Sequence, residues 1–154
     1  MEEVIIRAAT LNDLDTLFRF EQNVISTERP FDPTIKRNDI NYYDIKQMIT
    51  APHVELVVAE SANKIVGCGY ARIEDAKIYL NHAKHAYLGF MYVEPAYRGK
   101  GVNQKIIETL KHWAVAQNVT ELRLEVYYQN LGAIKAYEKA GFTRLMLEMR
   151  LDIA

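Results

Sequence analysis

The 154-residue sequence has a single cysteine, Cys68, so it can form no internal disulfide and no multi-cysteine zinc site. No stretch approaches the ~18 consecutive apolar residues that a membrane span requires. Neither sign of charge dominates: 19 Lys+Arg face 20 Asp+Glu, a net of −1, which gives no bulk attraction for nucleic acid or an anionic membrane. Repeats, low-complexity tracts and an internal linker are all missing. The start, Met1-Glu2-Glu3, is acidic and runs into a strand pattern, which gives no secretory signal and leads us to expect a cytoplasmic chain. What is present is ordinary globular composition, 49% hydrophobic and 25% charged. The length predicts one domain over 1–154, burying roughly 68–70% of its unfolded surface.

Hydrophobic periodicity predicts the elements. Val4 to Ile6 reads as a strand, and Thr10 as the N-cap of a helix whose buried stripe runs through Leu11, Leu14, Leu17, Phe18, Val24 and Ile25 until Pro30 and Pro33 stop it. A second helix is expected over 39–50. Val54 to Glu60 and Ile65 to Glu74 read as a hairpin around Ser61 to Lys64, and Ala86 to Val93 as a strand covered on both faces. Residues 75–84 are ambiguous. A helix over 101–117 buries Val102, Ile106, Leu110 and Trp113; a strand runs through Leu122, Leu124 and Val126; a short helix over 130–139 closes on Gly141; and a last strand is expected over 142–151. The order β-α-α-β-β-β-α-β-α-β is mixed α/β.

The segment that carries chemistry is Tyr92-Val93-Glu94-Pro95-Ala96-Tyr97-Arg98-Gly99-Lys100-Gly101-Val102-Asn103. A buried strand ends, two glycines bend the backbone, and a helix begins whose first N–H groups have no partner. With the helix dipole behind them and Arg98 and Lys100 nearby, those N–H groups make an anion site suited to phosphate. A plain strand-to-helix turn has the same outline. It is not a P-loop, because Gly101 follows Lys100 and position 95 is Pro, and the third glycine of a dinucleotide fingerprint is missing.

Arg98-x-x-Gly101 resembles the acyl-CoA pyrophosphate motif of the GNAT superfamily of N-acetyltransferases, and Leu88 to Pro95 is similar to that family's approach to it. Asn130 to Phe142 is similar to its second signature, Asn-x-x-Ala-x-x-x-Tyr-x-x-x-Gly-Phe. The pattern's last Gly or Ala is Asn103 here. The resemblance implies a central mixed, mostly antiparallel sheet flanked by helices, in which the parallel strands at 86–93 and 121–127 splay apart. It implies that acetyl-CoA is the acyl donor, with no metal. The pyrophosphate would lie on the backbone of Arg98, Gly99, Lys100, Gly101, Val102 and Asn103. The pantetheine arm would lie on Met91, Tyr92, Val93 and Asn130, one N–H of the strand trio polarising the thioester carbonyl. Tyr137 matches the tyrosine that protonates the leaving thiolate. The acceptor would be a small-molecule or peptide primary amine attacking directly in a ternary complex; a non-catalytic acyl-CoA-sensing module of the same fold is the alternative. Dimers are common in the family, so a homodimer is an admissible assembly.

The general base is not fixed by these motifs. An amine of pKa ~10.4 must lose a proton at roughly 4.6 kcal/mol at pH 7. Strand parity with Met91 and Val93 makes His85 and Tyr87 candidates, and Glu74 at the end of the preceding strand is a third. His82-x-x-His85 lacks a third metal ligand and reads as a polar loop. Glu28, Phe31 and Asp32 fall where the family shapes its acceptor pocket, and an acidic lip there suits a cationic amine.

Overall fold

A computed structural model of the chain describes residues 2–154. Strand β1 (Ile5–Ala8) leads through a short 3-10 turn, Leu11–Asp13, into α1 (Leu14–Glu28). The Asp13 carboxylate closes that start: it accepts the Thr10 backbone N–H at 2.8 Å and takes two parallel bonds from Arg7 at 2.9 and 3.0 Å. The following helix is shorter than expected. Helix α2 spans only Ile45–Thr50, capped by the Asp44 carboxylate on the Gln47 N–H at 3.2 Å. Residues ahead of it are held otherwise, because buried Glu21 of α1 accepts the N–H groups of Tyr42 and Tyr43 at 2.9 and 2.8 Å. Glu21→Ala is therefore expected to strand two backbone donors and lower stability by roughly 2–4 kcal/mol, read by denaturant titration. A change below 0.5 kcal/mol would show that the loop repairs itself with water.

Strands β2 (Val54–Ser61), β3 (Lys64–Asp75) and β4 (Lys84–Val93) form an antiparallel meander, and β1 pairs antiparallel with β2. Helix α3 (Val102–Ala116) crosses back to β5 (Leu122–Leu124), which lies parallel to β4 with Leu88 opposite Leu124. The sheet order is β1-β2-β3-β4-β5. Strand alternation divides the core: Val57, Ala59, Ala86 and Leu88 meet Ile106 and Leu110 of α3, while Leu56, Val58, Phe90 and Tyr92 meet Leu17 and Phe20 of α1. Cys68 is fully buried there, its thiol pushed up by burial and donating to the Phe90 carbonyl at 3.3 Å, the small core residue its sequence position suggests.

Helix α4 (Leu131–Lys139) ends in a Schellman arrangement: Gly141 adopts φ +105°, Phe142 N–H donates to the Tyr137 carbonyl and Gly141 N–H to that of Glu138, both at 3.0 Å. Two expected strands are cut back. The strand through 122–126 stops at Leu124, and the strand expected over 142–151 is not formed, since its backbone makes no ladder bond to the free edge of β5. Among the described residues no helix is long and apolar enough to cross a membrane.

Candidate active site

Strand β4 is bent by a bulge. Cys68 faces Tyr92 and Tyr70 faces Gly89, so β4 spends one residue more than β3 over that interval, and Phe90 takes φ +53°. The extra residue reverses the side-chain alternation. Met91 and Val93 pack on the α3 face, whereas Tyr87, Phe90 and Tyr92 pack on the α1 face. The parity that put His85 and Tyr87 beside Met91 and Val93 is thus broken, and the two pairs lie on opposite faces. Beyond the bulge β4 also loses its neighbour: pairing with β5 ends at Leu88, so Gly89 to Val93 have no strand partner on that side. The splayed parallel pair is present as expected.

The loop after β4 makes a 3-10 turn at Pro95–Tyr97 and enters α3 through Gly99 at φ +74° and Gly101 at φ +84°. Gly101 is the N-cap and supplies no side-chain bond; the first helical bond is Lys105 N–H to the Gly101 carbonyl at 3.1 Å. The N–H groups of Val102, Asn103 and Gln104 are left for a ligand, with the helix dipole behind them. A Cβ built on Gly99 or Gly101 meets no heavy atom within 4 Å, so the cradle is open. Val102 is buried and anchors the turn. Arg98 is turned back: its Nε donates to the Val93 carbonyl at 2.8 Å and its guanidinium lies over Tyr92. Lys100 lies over the ring of Tyr97. The free donors at this helix start are thus backbone N–H groups more than either cation.

Asn130 caps α4, its Oδ1 accepting the Ala133 N–H at 3.3 Å. Two turns of helix further on, the Tyr137 ring meets Phe142 edge-on at 5.9 Å. Burial first, then the charge of Glu28, push the Tyr137 hydroxyl up to about 12, so it stays protonated at neutral pH. Glu28, the last residue of α1, is thus near enough for its charge to act on Tyr137. Burial raises the Glu28 carboxyl above its usual value, the nearby Tyr42 hydroxyl opposes the rise and the charge of Asp32 adds to it. Tyr127 Oη donates to Asp32 at 3.0 Å and its ring stacks on Phe31. Glu28, Asp32, Tyr42, Tyr127 and Tyr137 therefore make an acidic, aromatic cluster. Tyr42 and Tyr127 escaped sequence reasoning, since nothing in their spacing links them to residues 28–32.

The base candidates are engaged elsewhere. Tyr87 Oη donates to Glu125 at 2.9 Å and is held well above the usual tyrosine value, by burial first and then by that bond. Glu74 accepts from Arg72 at 2.5 Å and faces His85 Nε2 at 3.3 Å. Among the described residues no three His, Cys, Asp or Glu side chains gather as a metal site would require.

Comparison with known proteins adds the following. A family model described as Acetyltransferase (GNAT) family matches residues 18–142. The chain is 38% identical over 69 residues to streptothricin acetyltransferase of Escherichia coli, covering 44% of this chain and 40% of that enzyme. It thus spans less than half the length of that relative. Two solved structures share the fold: a mutant of the BH1408 protein from Bacillus halodurans (20% identical, TM-score 0.87, covering 97% of this chain and 99% of that one), and a protein described as a predicted acetyltransferase with acetyl-CoA from Clostridium acetobutylicum (20% identical, TM-score 0.72, covering 98% and 97%).

Proposed function

We propose, from the premise that this chain belongs to the acetyltransferase (GNAT) family, that it transfers the acetyl group of acetyl-CoA to a primary amine by direct attack within a ternary complex. The observation that carries this reading is the open cradle at Gly99 and Gly101, aimed by α3 and continuous with the unpaired end of β4. The pyrophosphate lies on the N–H groups of residues 98–103, and the pantetheine arm runs along Met91, Tyr92 and Val93 with Asn130 opposite. One N–H of that strand polarises the thioester carbonyl, a role worth ~2.7–4 kcal/mol in oxyanion holes. The amine nitrogen forms a bond to the carbonyl carbon and the C–S bond breaks. The amine loses a proton to a carboxylate, directly or through water, and Tyr137 supplies one to the departing sulfur.

The acidic, aromatic cluster supports a cationic amine as acceptor. Glu28 holds the ammonium group, and its raised carboxyl pKa makes it a better proton acceptor than an ordinary carboxylate. Glu74, His85 and Tyr87 fit the base role less well, because each is committed to another side chain and Tyr87 is a donor. Glu28→Gln is expected to lower kcat/KM for the amine more than ~10-fold while the acetyl-CoA Kd stays within a factor of two, since ion-pair recognition is lost and cofactor contacts are not. An unchanged kcat/KM removes Glu28 from the site.

Asn103 departs from the family pattern, yet the helix-start N–H that the pattern serves remains. Asn103→Ala is therefore expected to change the acetyl-CoA Kd by less than about threefold, read by calorimetry. A tenfold weakening, about 1.4 kcal/mol, shows instead that the side chain bonds the phosphates.

The test of the reading as a whole is an equilibrium titration with acetyl-CoA followed by thiol release on adding amines. Binding with release supports acetyl transfer. Binding without release, across α-amino, lysine-type and aminoglycoside amines, leaves a sensing module; no binding ends the assignment.

A further inference from the structure

Residues 32–44, between α1 and α2, form no helix or strand, and side chains of α1 and its C-cap hold them. Arg29 donates from Nε to the Lys36 carbonyl at 3.3 Å and from Nη2 to that of Asn38 at 2.8 Å, and Gln22 Nε2 donates to the Ile40 carbonyl at 3.0 Å. These three bonds are exposed, so water competes for each. Glu21 differs. It is fully buried, its Oε2 accepts the N–H groups of both Tyr42 and Tyr43, and its Oε1 is buried with no partner among the described residues. Every hydrogen bond of this carboxylate there goes to one bend of the loop.

Two successive N–H groups converge on one oxygen where the backbone curves into a concave nest, a shape that an anion stabilises. The Tyr43 side of the curve is fixed twice over, because its ring stacks on Phe90 at 4.7 Å and meets Tyr70 edge-on at 5.8 Å. Tyr42 is half-buried with its ring edge-on to Tyr43 at 5.7 Å, so the curvature of the nest decides where its hydroxyl points. That hydroxyl and the Glu28 carboxyl act on each other. Glu28 lies seven residues beyond Glu21, two turns along the same face of α1 and about 10 Å away. Helical side chains lean toward the N-terminus, which brings Glu28 back toward a tyrosine anchored at Glu21.

We propose that Glu21 is a positioning residue for acetyl transfer: as the buried anion of the 42–43 nest, it aims the Tyr42 hydroxyl at Glu28 and so holds Glu28 in place for the ammonium of the acceptor. This rests on the reading of Glu28 as the ammonium's partner. Glu21 touches neither acetyl-CoA nor amine; it acts through Tyr42. The groups that face Glu28 are Tyr42 and Tyr43 from the loop, Asp32 beyond α1, Tyr127 after β5 and Tyr137 of α4, and Arg29 acts on Tyr42. Burial and Asp32 raise the Glu28 carboxyl, and Tyr42 alone opposes them. Losing the aim of Tyr42 therefore raises Glu28 further, and the acid limb of kcat/KM moves to higher pH.

The test is steady-state kinetics with one cationic amine across pH on the wild type, Glu21→Ala, Glu21→Gln, Tyr42→Phe and the Glu21→Ala/Tyr42→Phe double variant, with folding checked by circular dichroism. Glu21→Ala is expected to raise the amine KM roughly three- to tenfold, the worth of one hydrogen bond, and to shift the acid limb upward, with the acetyl-CoA Kd held within about twofold. Glu21→Gln keeps an oxygen in the nest and should recover most of the loss. Tyr42→Phe should reproduce the loss, and in the double variant the two losses should not add. Tyr42→Phe leaves the nest intact, so a wild-type KM and acid limb in that variant overturn the proposal even where Glu21→Ala fails to fold. A Glu21→Ala loss that persists in full beside Tyr42→Phe also overturns it, since Glu21 then acts by another route. A wild type that acetylates no amine ends the reading of Glu28 and the proposal with it, whereas wild-type transfer with unaltered variants ends the proposal alone.

Discussion

Gly101→Val should abolish measurable acetyl-CoA binding in a protein that still folds. Gly101 sits at φ +84°, where an ordinary L-residue loses ~1–2 kcal/mol and a β-branched one more. The side chain itself has room, since no heavy atom lies within 4 Å of the added Cβ, so the core is not disturbed. The strain is relieved instead by rotating the N-cap residue away from the left-handed region. That movement re-aims the N–H groups of residues 102–104, whose orientation is what the phosphates need. Losing two charge-assisted hydrogen bonds at about 1.5–3 kcal/mol each weakens binding more than ~100-fold. Calorimetry on a folded variant with wild-type affinity would remove the cradle from the account.

Tyr137→Phe tests the chemistry rather than the binding. The hydroxyl makes no protein hydrogen bond among the described residues, and the ring contact with Phe142 survives its removal, so stability should change by less than ~1 kcal/mol. Turnover should fall by roughly 10²–10⁴, the worth of a positioned general acid, and nearer the lower end because a thiolate of pKa ~8.5 leaves readily. Burial keeps the phenol protonated, with its value pushed up to about 12, so in the proposed transfer it serves as a hydrogen bond that shortens as charge grows on sulfur, with proton transfer late. Acetyl-CoA affinity should stay within a few-fold. Wild-type turnover with a good acceptor would reduce Tyr137 to packing, and lost affinity would make it a positioning residue.

Much of this was legible because the sequence signals were periodic. The apolar run within Val54 to Glu60 marks a strand, and the helical stripe through Val102, Ile106 and Leu110 points to the face it buries. Gly99 and Gly101 announced positive φ by being glycines. Phe90 did not: a bulge costs one residue and leaves no compositional trace when a phenylalanine carries it, so the parity argument for His85 and Tyr87 failed there. The helix expected from Asp39 starts six residues late because Glu21, far away in sequence, takes the Tyr42 and Tyr43 donors. The segment 142–151 reads as a strand from its side chains, but a strand also needs an edge, and sequence does not say where one is. Glu28 and Asp32 were visible as acids in a loop, whereas their tyrosine partners come from elements ten to a hundred residues away.

The central claim is that an acetyl group leaves CoA for an amine on this protein. Mass spectrometry of acceptor mixtures incubated with isotopically labelled acetyl-CoA measures that directly. The account predicts a labelled N-acetyl product from at least one class of cationic primary amine, formed many times per enzyme and reduced about 100-fold or more with Tyr137→Phe at matched times. Acetyl-CoA that binds and is recovered intact, with no labelled product from any amine class, would contradict it.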